Sequence, residues 1–242
     1  VEKMAKYGFL GIPVPKEYEG QGCDPLTYVM CVEELAKVCA TTSVIVSAHT
    51  SLCIDPILTY GTPEQKAKYV PDLASGRKLG AFGLTEPGAG TDAQGQQTKA
   101  VLDGDEWVLN GSKCFITNGG IASFYCVTAM TDKTKGVKGM SMFFVEKGTP
   151  GLSTGKEENK MGIRTSNTCD VVLEDVRIPA SNLIGEEGRG FNIAMQTLDQ
   201  ARTWMGCVAT GIAQRGINEA IAYGKERIQF GKPIIKNQAL KF

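Results

Sequence analysis

The sequence lacks several features that mark particular classes of protein. Its 26 basic and 26 acidic residues cancel, so no charge excess indicates a nucleic-acid or anionic-membrane partner. No uninterrupted apolar run approaches the ~18 residues that a membrane-spanning helix needs. No signal-peptide pattern is present, and both ends of the chain look cut. We expect no nucleic-acid or membrane partner, and a location in the cytoplasm, or in the mitochondrial matrix for a eukaryotic source.

Metal-binding and nucleophilic motifs are also scarce. His49 is the single histidine, and the eight cysteines include no CxxC pair, so we expect no metal site and no Ser-His-Asp triad. No carboxylate pair stands out for acid–base work. His49 is most simply a hydrogen-bonded histidine on a helix. The cysteines have apolar neighbours, which predicts small reduced core residues in an intracellular protein.

Three zones of the chain differ in their hydrophobic period. In the first, Asp24-Pro25 and Thr62-Pro63 are typical helix starts, and the second has Gln65 three residues after the cap. In the third, apolar residues recur at helical spacing from Phe191 to Tyr223. Tight packing against neighbouring helices would explain the glycines of this stretch, which are Gly206, Gly211, Gly216 and Gly224.

The middle zone predicts consecutive strands without intervening helices. Asp103-Gly104 and Asn110-Gly111 lie between apolar runs and predict two hairpin turns. Consecutive strands favour an antiparallel barrel or sandwich over a doubly wound sheet. The predicted fold is therefore multi-domain α+β: a partial N-terminal helical domain (1–78), a β-barrel or sandwich domain (79–184) and the start of a truncated C-terminal helical bundle (185–242).

A glycine-rich stretch follows the first predicted strand. Gly88-Ala89-Gly90-Thr91-Asp92-Ala93 fits the GxGxxG/A pattern of dinucleotide-binding folds. That interpretation requires a helix from the second glycine and then a parallel strand, whereas a hairpin follows here. A loop whose backbone amides approach a ligand's phosphates remains open, because glycine permits a close approach.

Three other groups leave a structural and a functional interpretation open. Thr85 and Thr117 end strands and either cap turns or offer hydroxyl groups at one edge of the barrel. Asp199 and Arg202 share a helix face, as an ordinary surface pair or as part of a site. Arg227 lies near a helix C-terminus, where a cation complements the helix dipole.

Four sequence blocks, taken together, resemble the acyl-CoA dehydrogenase family. They are LTEPGAGTD (84–92), KCFITNG (113–119), GEEGRGF (185–191) and RIQFGKP (227–233). The resemblance covers the whole chain and is greatest to the short-chain, butyryl-CoA branch of bacterial type. It implies an oligomeric flavoenzyme, usually a homotetramer, that holds FAD at the barrel edge without a Rossmann fold.

The resemblance also implies which residues contact the ligands. Arg227 and Gln238 would reach the FAD of a neighbouring subunit. The implied FAD-binding residues are Phe82, Gly83, Leu84, Thr85, Thr91, Phe115, Ile116, Thr117, Arg227, Phe230 and Gln238. The residues implied to contact the acyl-CoA substrate are Thr91, Ser166, Asp199 and Arg202.

The implied chemistry is α,β-dehydrogenation of an acyl-CoA thioester. A glutamate takes the α-proton, the β-hydrogen leaves as hydride to flavin N5, and the electrons pass to electron-transfer flavoprotein. The family places this glutamate in a late Y-E-G-T segment or one residue before the arginine of D-x-x-R, where this chain has Ala201. We therefore assign no catalytic residue and expect the 242 residues alone to be inactive.

Other functions remain open at this stage. The chain could be an inert flavin- or CoA-binding module. The parent protein could be an acyl-CoA oxidase or a cyclic- or aryl-acyl-CoA dehydrogenase on the same fold. Trp204 stands where short-chain members usually carry small residues, and it either reshapes the acyl pocket or faces a neighbouring helix.

Overall fold

The helices lie at the two ends of the chain. The computed structural model describes residues 1–242. The α-helices are α1 Glu2–Lys6, α2 Pro25–Val38, α3 Ala40–Ala48, α4 Asp55–Tyr60, α5 Pro63–Ala74, α6 Gly190–Glu226 and α7 Gln238–Lys241. A π-helical turn, His49–Ile54, joins α3 to α4. None of the helices is long and apolar enough to cross a membrane.

Local capping chemistry sets the starts of α2 and α5. The Asp24 carboxylate accepts a hydrogen bond from the Thr27 amide at 2.7 Å. The Thr62 hydroxyl accepts from the Gln65 amide, and the Gln65 side chain accepts in return from the Thr62 amide. Both pairs satisfy amides that have no partner within the helix. The two predicted helix starts are confirmed.

Ten strands form one large sheet and one small hairpin. The strands are β1 Gly80–Gly83, β2 Lys99–Asp103, β3 Glu106–Thr117, β4 Phe124–Met130, β5 Met140–Glu146, β6 Leu152–Thr154, β7 Thr168–Pro179, β8 Leu183–Ile184, β9 Ile228–Gln229 and β10 Lys232–Pro233. The large sheet has the order β6-β7-β3-β2-β4-β5-β8, and β1 pairs with β4. The α+β class is confirmed, while the boundaries at 78/79 and 184/185 stay predictions.

The sheet differs from the prediction in two strand pairs that are parallel. Most neighbouring strands are antiparallel, but β1 runs parallel to β4, with Phe82 opposite Cys126, and β2 meets β4 in parallel at a single pair, Lys99 and Met130. A parallel pair needs a long crossover, and the chain between β1 and β4 supplies it through the glycine-rich loop, β2 and β3. The loop after β1 is therefore free to line a site at the end of β3.

The predicted hairpin turn at Asn110-Gly111 is wrong. Residues 106–117 form one strand that pairs with β7, with a register shift between Leu109 and Gly111. The pair is a β-bulge, and a Cβ on Gly111 would collide with Thr98, the residue before β2. A glycine is required by this close approach of the two chain segments.

The tight-packing prediction for the α6 glycines holds at one of the four positions. A Cβ at Gly211 would collide with the Glu33 carbonyl of α2. The prediction is wrong at Gly224, where a Cβ would make an ordinary contact 3.4 Å from Ile235. At Gly206 and Gly216 no heavy atom lies within 4 Å of the Cβ position, so the prediction is wrong there.

Buried apolar side chains fix α6 against both the helices and the sheet. Ile193 of α6 packs with Phe124 and Phe144 of the sheet and with α4 and α5. Further along α6, Val208 packs with Tyr28 and other residues of the N-terminal helices. The other face of the sheet has a separate core that includes Trp107. The start of α6 is thereby held over the ends of β1 and β3.

The eight cysteines are all free thiols, of which four are buried, three are half-buried and one is exposed. Four are buried, as predicted, namely Cys53, Cys114, Cys126 and Cys169. Cys39 is exposed, since it caps the C-terminus of α2 instead of continuing its buried face. The prediction of a core position is wrong for Cys39.

Candidate functional site

A cleft of about 510 Å³ opens between the edge of the sheet and the start of α6. The loop after β1 forms a third wall. The sequence-predicted residues that line the cleft are Phe82, Leu84, Thr85, Thr91, Phe115, Ile116, Thr117 and Arg202. Residues contributed by α6 are Phe191, Met195, Leu198 and Arg202. The volume lies within the ~300–1,000 Å³ typical of small-molecule and cofactor sites.

Thr85 and Thr117 lie on the walls of this one cleft. The ends of β1 and β3 are adjacent, because the amide of Cys114 donates to the Thr85 carbonyl at 2.9 Å. Thr85 and Thr117 thus border a space otherwise lined largely by apolar and aromatic side chains. Such a wall suits a flat ligand that has both an apolar face and a polar edge.

Phe115 is held in an unusual backbone conformation at the mouth of the cleft. Its φ is 59°, in the left-handed region that is costly for a bulky side chain. A register shift between Lys113 and Ile116 interrupts the ladder with β7 at this point. The bulge leaves the phenyl ring 65% exposed beside the cleft, where an aromatic ligand could stack on it.

A buried ion pair lies behind the cleft, and the sequence reasoning missed it. Lys113 Nζ is 2.8 Å from Glu86 Oε1, and the two side chains are 0% and 5% exposed. Burial lowers the pKa of Lys113 to about 8. Burial opposes ionisation of Glu86, but Lys113 and the Gln97 amide outweigh it and hold the Glu86 pKa below its ordinary value. The sequence does offer one indication of this pair, because Glu86 and Lys113 are charged residues in stretches that otherwise consist mainly of apolar or small residues.

His49 lies outside the cleft and has the structural role that the sequence predicts. Its Nδ1 accepts from the Gly80 amide at 2.9 Å, so Nε2 carries the proton and donates to the Leu73 carbonyl at 3.0 Å. Complete burial lowers the pKa of His49 to about 4. The neutral imidazole connects the end of α5 to the start of β1.

Several predicted residues do not line the cleft. Gly83 lies between two lining residues. Asp199 contacts Arg202 at 3.0 Å on the exposed surface of α6. Ser166 is 1% exposed, and its hydroxyl has no hydrogen-bond partner. Arg227 and Gln238 are both exposed.

The segment that follows α6 presents an apolar side chain to the surface. Phe230 is 96% exposed. It has a φ of 50°, and Gly231 has a φ of 72°, which fits the two-residue turn of the β9–β10 hairpin. No other part of the chain covers the ring.

The cleft contains little acid–base machinery of its own. Asp92 is the single carboxylate among its lining residues. Ala201, the residue before Arg202 on α6, is 9% exposed and does not line the cleft. No group of three or more His, Cys, Asp or Glu side chains is placed to hold a metal ion.

Three successive family descriptions match the chain. They are the N-terminal domain of acyl-CoA dehydrogenase over residues 1–77, the middle domain over 81–176 and the C-terminal domain over 188–242. The chain belongs to the acyl-CoA dehydrogenase family, and the resemblance drawn from the four sequence blocks is confirmed.

Two relatives are similar to this chain over nearly its whole length. The chain is 58% identical over 240 residues to a short-chain-specific acyl-CoA dehydrogenase of Clostridium acetobutylicum, covering 99% of this chain and 63% of the relative. Its structure matches butyryl-CoA dehydrogenase of Megasphaera elsdenii with a TM-score of 0.97 and 50% identity, covering 100% of this chain and 64% of that one. The chain thus spans a little under two thirds of the length of these relatives.

A further match comes from a structure described as the electron transferring flavoprotein of Acidaminococcus fermentans. One of its chains matches with a TM-score of 0.98 and 54% identity, covering 100% of this chain and 63% of that chain.

Proposed function

We propose that the whole protein containing these residues is an FAD-dependent dehydrogenase of short-chain acyl-CoA thioesters. The observation that carries the proposal is the shared cleft of Thr85 and Thr117, with Phe115 and Arg202 at its walls. The similarity to relatives named short-chain specific and butyryl-CoA dehydrogenase supports the choice of substrate. When bound, FAD supplies the acceptor for a hydride from the β-carbon of the thioester.

The residues of the cleft fit an isoalloxazine ring. The ring is flat and apolar on its faces and polar along one edge. Phe82, Leu84 and Ile116 supply apolar surface, and the threonine hydroxyls supply donors for the polar edge. Donors fixed in advance stabilise negative charge as it develops, without reorganisation during the reaction. The proposed FAD-binding set includes Gly83 and Thr91, with Arg227, Phe230 and Gln238 acting on a neighbouring subunit.

The same walls can orient an acyl-CoA beside the flavin. Thr91, on the loop after β1, and Arg202, on α6, both line the cleft. Ser166 has a buried hydroxyl without a partner, and we assign it to the CoA arm. Asp199 contacts the Arg202 guanidinium at 3.0 Å and orients it. We place the base that takes the α-proton outside these residues, since Ala201 cannot act as one.

Three proposals concern the surroundings of the enzyme. The exposed Phe230 ring and the exposed Arg227 support an oligomer, by family resemblance a homotetramer. The match to a chain of the flavoprotein structure supports electron-transfer flavoprotein as the electron acceptor. We place the enzyme in the cytoplasm, or in the mitochondrial matrix in a eukaryote.

Anaerobic titration with butyryl-CoA tests the proposed activity. The purified whole protein should retain FAD, and its visible flavin absorbance should bleach on addition of butyryl-CoA. Absence of bleaching with butyryl-CoA and its neighbouring chain lengths would contradict the proposal. The reaction with aryl- and cyclic-acyl-CoA serves as a matched comparison, since a preference for those substrates would assign the protein to a sister enzyme.

Oxygen consumption separates dehydrogenase from oxidase. Under air, the protein should pass electrons to electron-transfer flavoprotein or a dye faster than to oxygen. Rapid oxygen consumption on addition of acyl-CoA would instead assign the protein to the acyl-CoA oxidases.

A further inference from the structure

The loop between β1 and β2 forms one wall of the cleft and has little regular structure of its own. It runs from Leu84 to Thr98, and its regular structure is limited to an isolated β-bridge between Glu86 and Ala89 and a short 3-10 turn, Ala93–Gly95. Thr91 and Asp92 are exposed, as are Gly88 and Gly90. Neither of these two glycines has a heavy atom within 4 Å of its Cβ position. Ala89, between the two glycines, is buried, but packing around the four exposed residues does not fix their path.

Both ends of this loop are attached to a single buried lysine. At the near end, Lys113 Nζ donates to the Leu84 carbonyl at 3.1 Å and to the Glu86 carboxylate at 2.8 Å. At the far end it donates to Gln96 Oε1 at 3.0 Å. Thr85, one of the two threonines of the cleft, lies between Leu84 and Glu86.

Glu86 also connects the two ends of the loop. The Glu86 carboxylate accepts from the Gln97 amide and, at 3.0 Å, from the Thr98 amide. The first residues of the loop are thus hydrogen-bonded to its last residues through side chains that are almost completely buried. The donors of Lys113 and both carboxylate oxygens of Glu86 are all satisfied, which a buried pair requires.

A buried ion pair is a weak source of stability, because desolvation offsets most of the attraction between its charges. An apolar pair of similar volume would fill the same space. It could not bond to a carbonyl, an amide oxygen and two backbone amides at once. What the pair adds is therefore a fixed geometry for the segments on either side of it.

We propose that Lys113 and Glu86 are positioning residues that clamp the two ends of the 84–98 loop, and so hold Thr85 and Thr91 toward the FAD and acyl-CoA of the proposed function. Neither residue lines the cleft. They act through the loop and do not touch the ligands. The inference rests on the proposed function for the identity of those ligands, but the clamp itself is a property of the protein without them.

The test combines hydrogen exchange with FAD titration in the whole protein. The double variant Glu86→Gln, Lys113→Met removes both charges with little change in volume. In the FAD-free protein, amides within 84–98 should exchange about tenfold faster than in wild type, the factor equivalent to ~1.4 kcal/mol of local opening. Amides of β4 and β5 should be unchanged. The dissociation constant for FAD should rise by about tenfold or more.

Arg177→Gln is the matched control. Arg177 forms an exposed ion pair with Asp103 and Glu106 on the same sheet, and its replacement should change neither measurement. If the double variant does not fold, Gln96→Ala removes one loop acceptor alone and must show the same loop-limited increase in exchange.

Two results would overturn the clamp. One is unchanged exchange within 84–98 in a folded variant, and the other is faster exchange spread equally over the sheet, which indicates a general structural role. Unchanged FAD affinity with a loosened loop would overturn the positioning role. A wild-type protein that binds no FAD would contradict the proposed function, while the exchange experiment would still test the clamp.

Discussion

The indole of Trp204 on α6 contacts the phenol ring of Tyr28 on α2 edge-to-face, with ring centroids 4.7 Å apart. Tyr28 is fully buried, and Trp204 packs against the same core of the N-terminal helices. Trp204 does not line the cleft. Of the two roles that the sequence left open for this residue, the structure supports contact with a neighbouring helix.

Replacing Trp204 should therefore reduce stability and leave substrate choice unchanged. Trp204→Ala removes an aromatic pair and leaves a partial cavity against Tyr28, which should cost roughly 2–3 kcal/mol of unfolding free energy. Urea denaturation measures that loss. The ratio of activities on butyryl- and longer acyl-CoA substrates should stay at its wild-type value. A shift toward longer chains would place the indole in the acyl pocket.

His49 should make the protein sensitive to acid. Its pKa is about 4 in the folded chain and ~6.5 when unfolded, so the unfolded state binds more protons between these pH values. Stability is fully present above pH ~6.5 and is lost as the pH falls toward 4, by about 3 kcal/mol.

His49→Gln provides the matched comparison, because glutamine can accept from the Gly80 amide and donate to the Leu73 carbonyl without titrating. Urea unfolding from pH 7 to 4 should give wild-type and variant curves that diverge as the pH falls, with wild type losing more. Parallel curves would show that His49 is not the group responsible. Burial raises the pKa of Asp55 to about 6. Asp55 titrates in both proteins, so its contribution to the pH dependence cancels in the comparison.

Arg202 should matter for substrate binding far more than for stability. Its ion pair with Asp199 is exposed, at 66% and 73% for the two side chains, and pairs of this kind contribute under ~1 kcal/mol. Arg202→Ala should leave the melting temperature almost unchanged. Loss of a charged hydrogen bond should raise KM for butyryl-CoA about tenfold or more.

Arg215→Ala is the control for Arg202, since it removes the exposed Arg215–Glu219 pair from the same helix at a distance from the cleft. It should change neither melting temperature nor KM. Equal KM values for wild type, Arg202→Ala and Arg215→Ala would show that Arg202 does not contribute to substrate binding.

Local chemistry made some parts of the fold predictable. The starts of α2 and α5 depend on Asp24 and Thr62 and their neighbours within three residues. The end of β3 at Thr117 was likewise visible as an apolar run followed by turn residues. The first strand of the sheet ends at Gly83, two residues before the end predicted at Thr85. The sequence blocks around these threonines then identified the family, because four rare patterns occur in one order.

Other features depend on contacts that span long stretches of sequence. Asn110-Gly111 has the composition of a hairpin turn, and only pairing with β7 makes it a bulge. Glu86 and Lys113 are 27 residues apart, and nothing local indicates that they meet. Gly206 and Gly216 have the same local pattern as Gly211, but only Gly211 lies against α2. The hydrophobic pattern of the sequence does not show which of these residues meet another segment of the chain.

The most direct test of the account is the affinity of the whole protein for FAD with and without the two hydroxyl groups of the cleft. Thr85→Val with Thr117→Val keeps the shape of both side chains and removes both donors. Thr210→Val on the exposed surface of α6 is the control. Wild type and control should bind FAD stoichiometrically, and the double variant should bind at least about tenfold more weakly. Equal affinity in all three proteins would contradict the central claim that Thr85 and Thr117 hold the flavin.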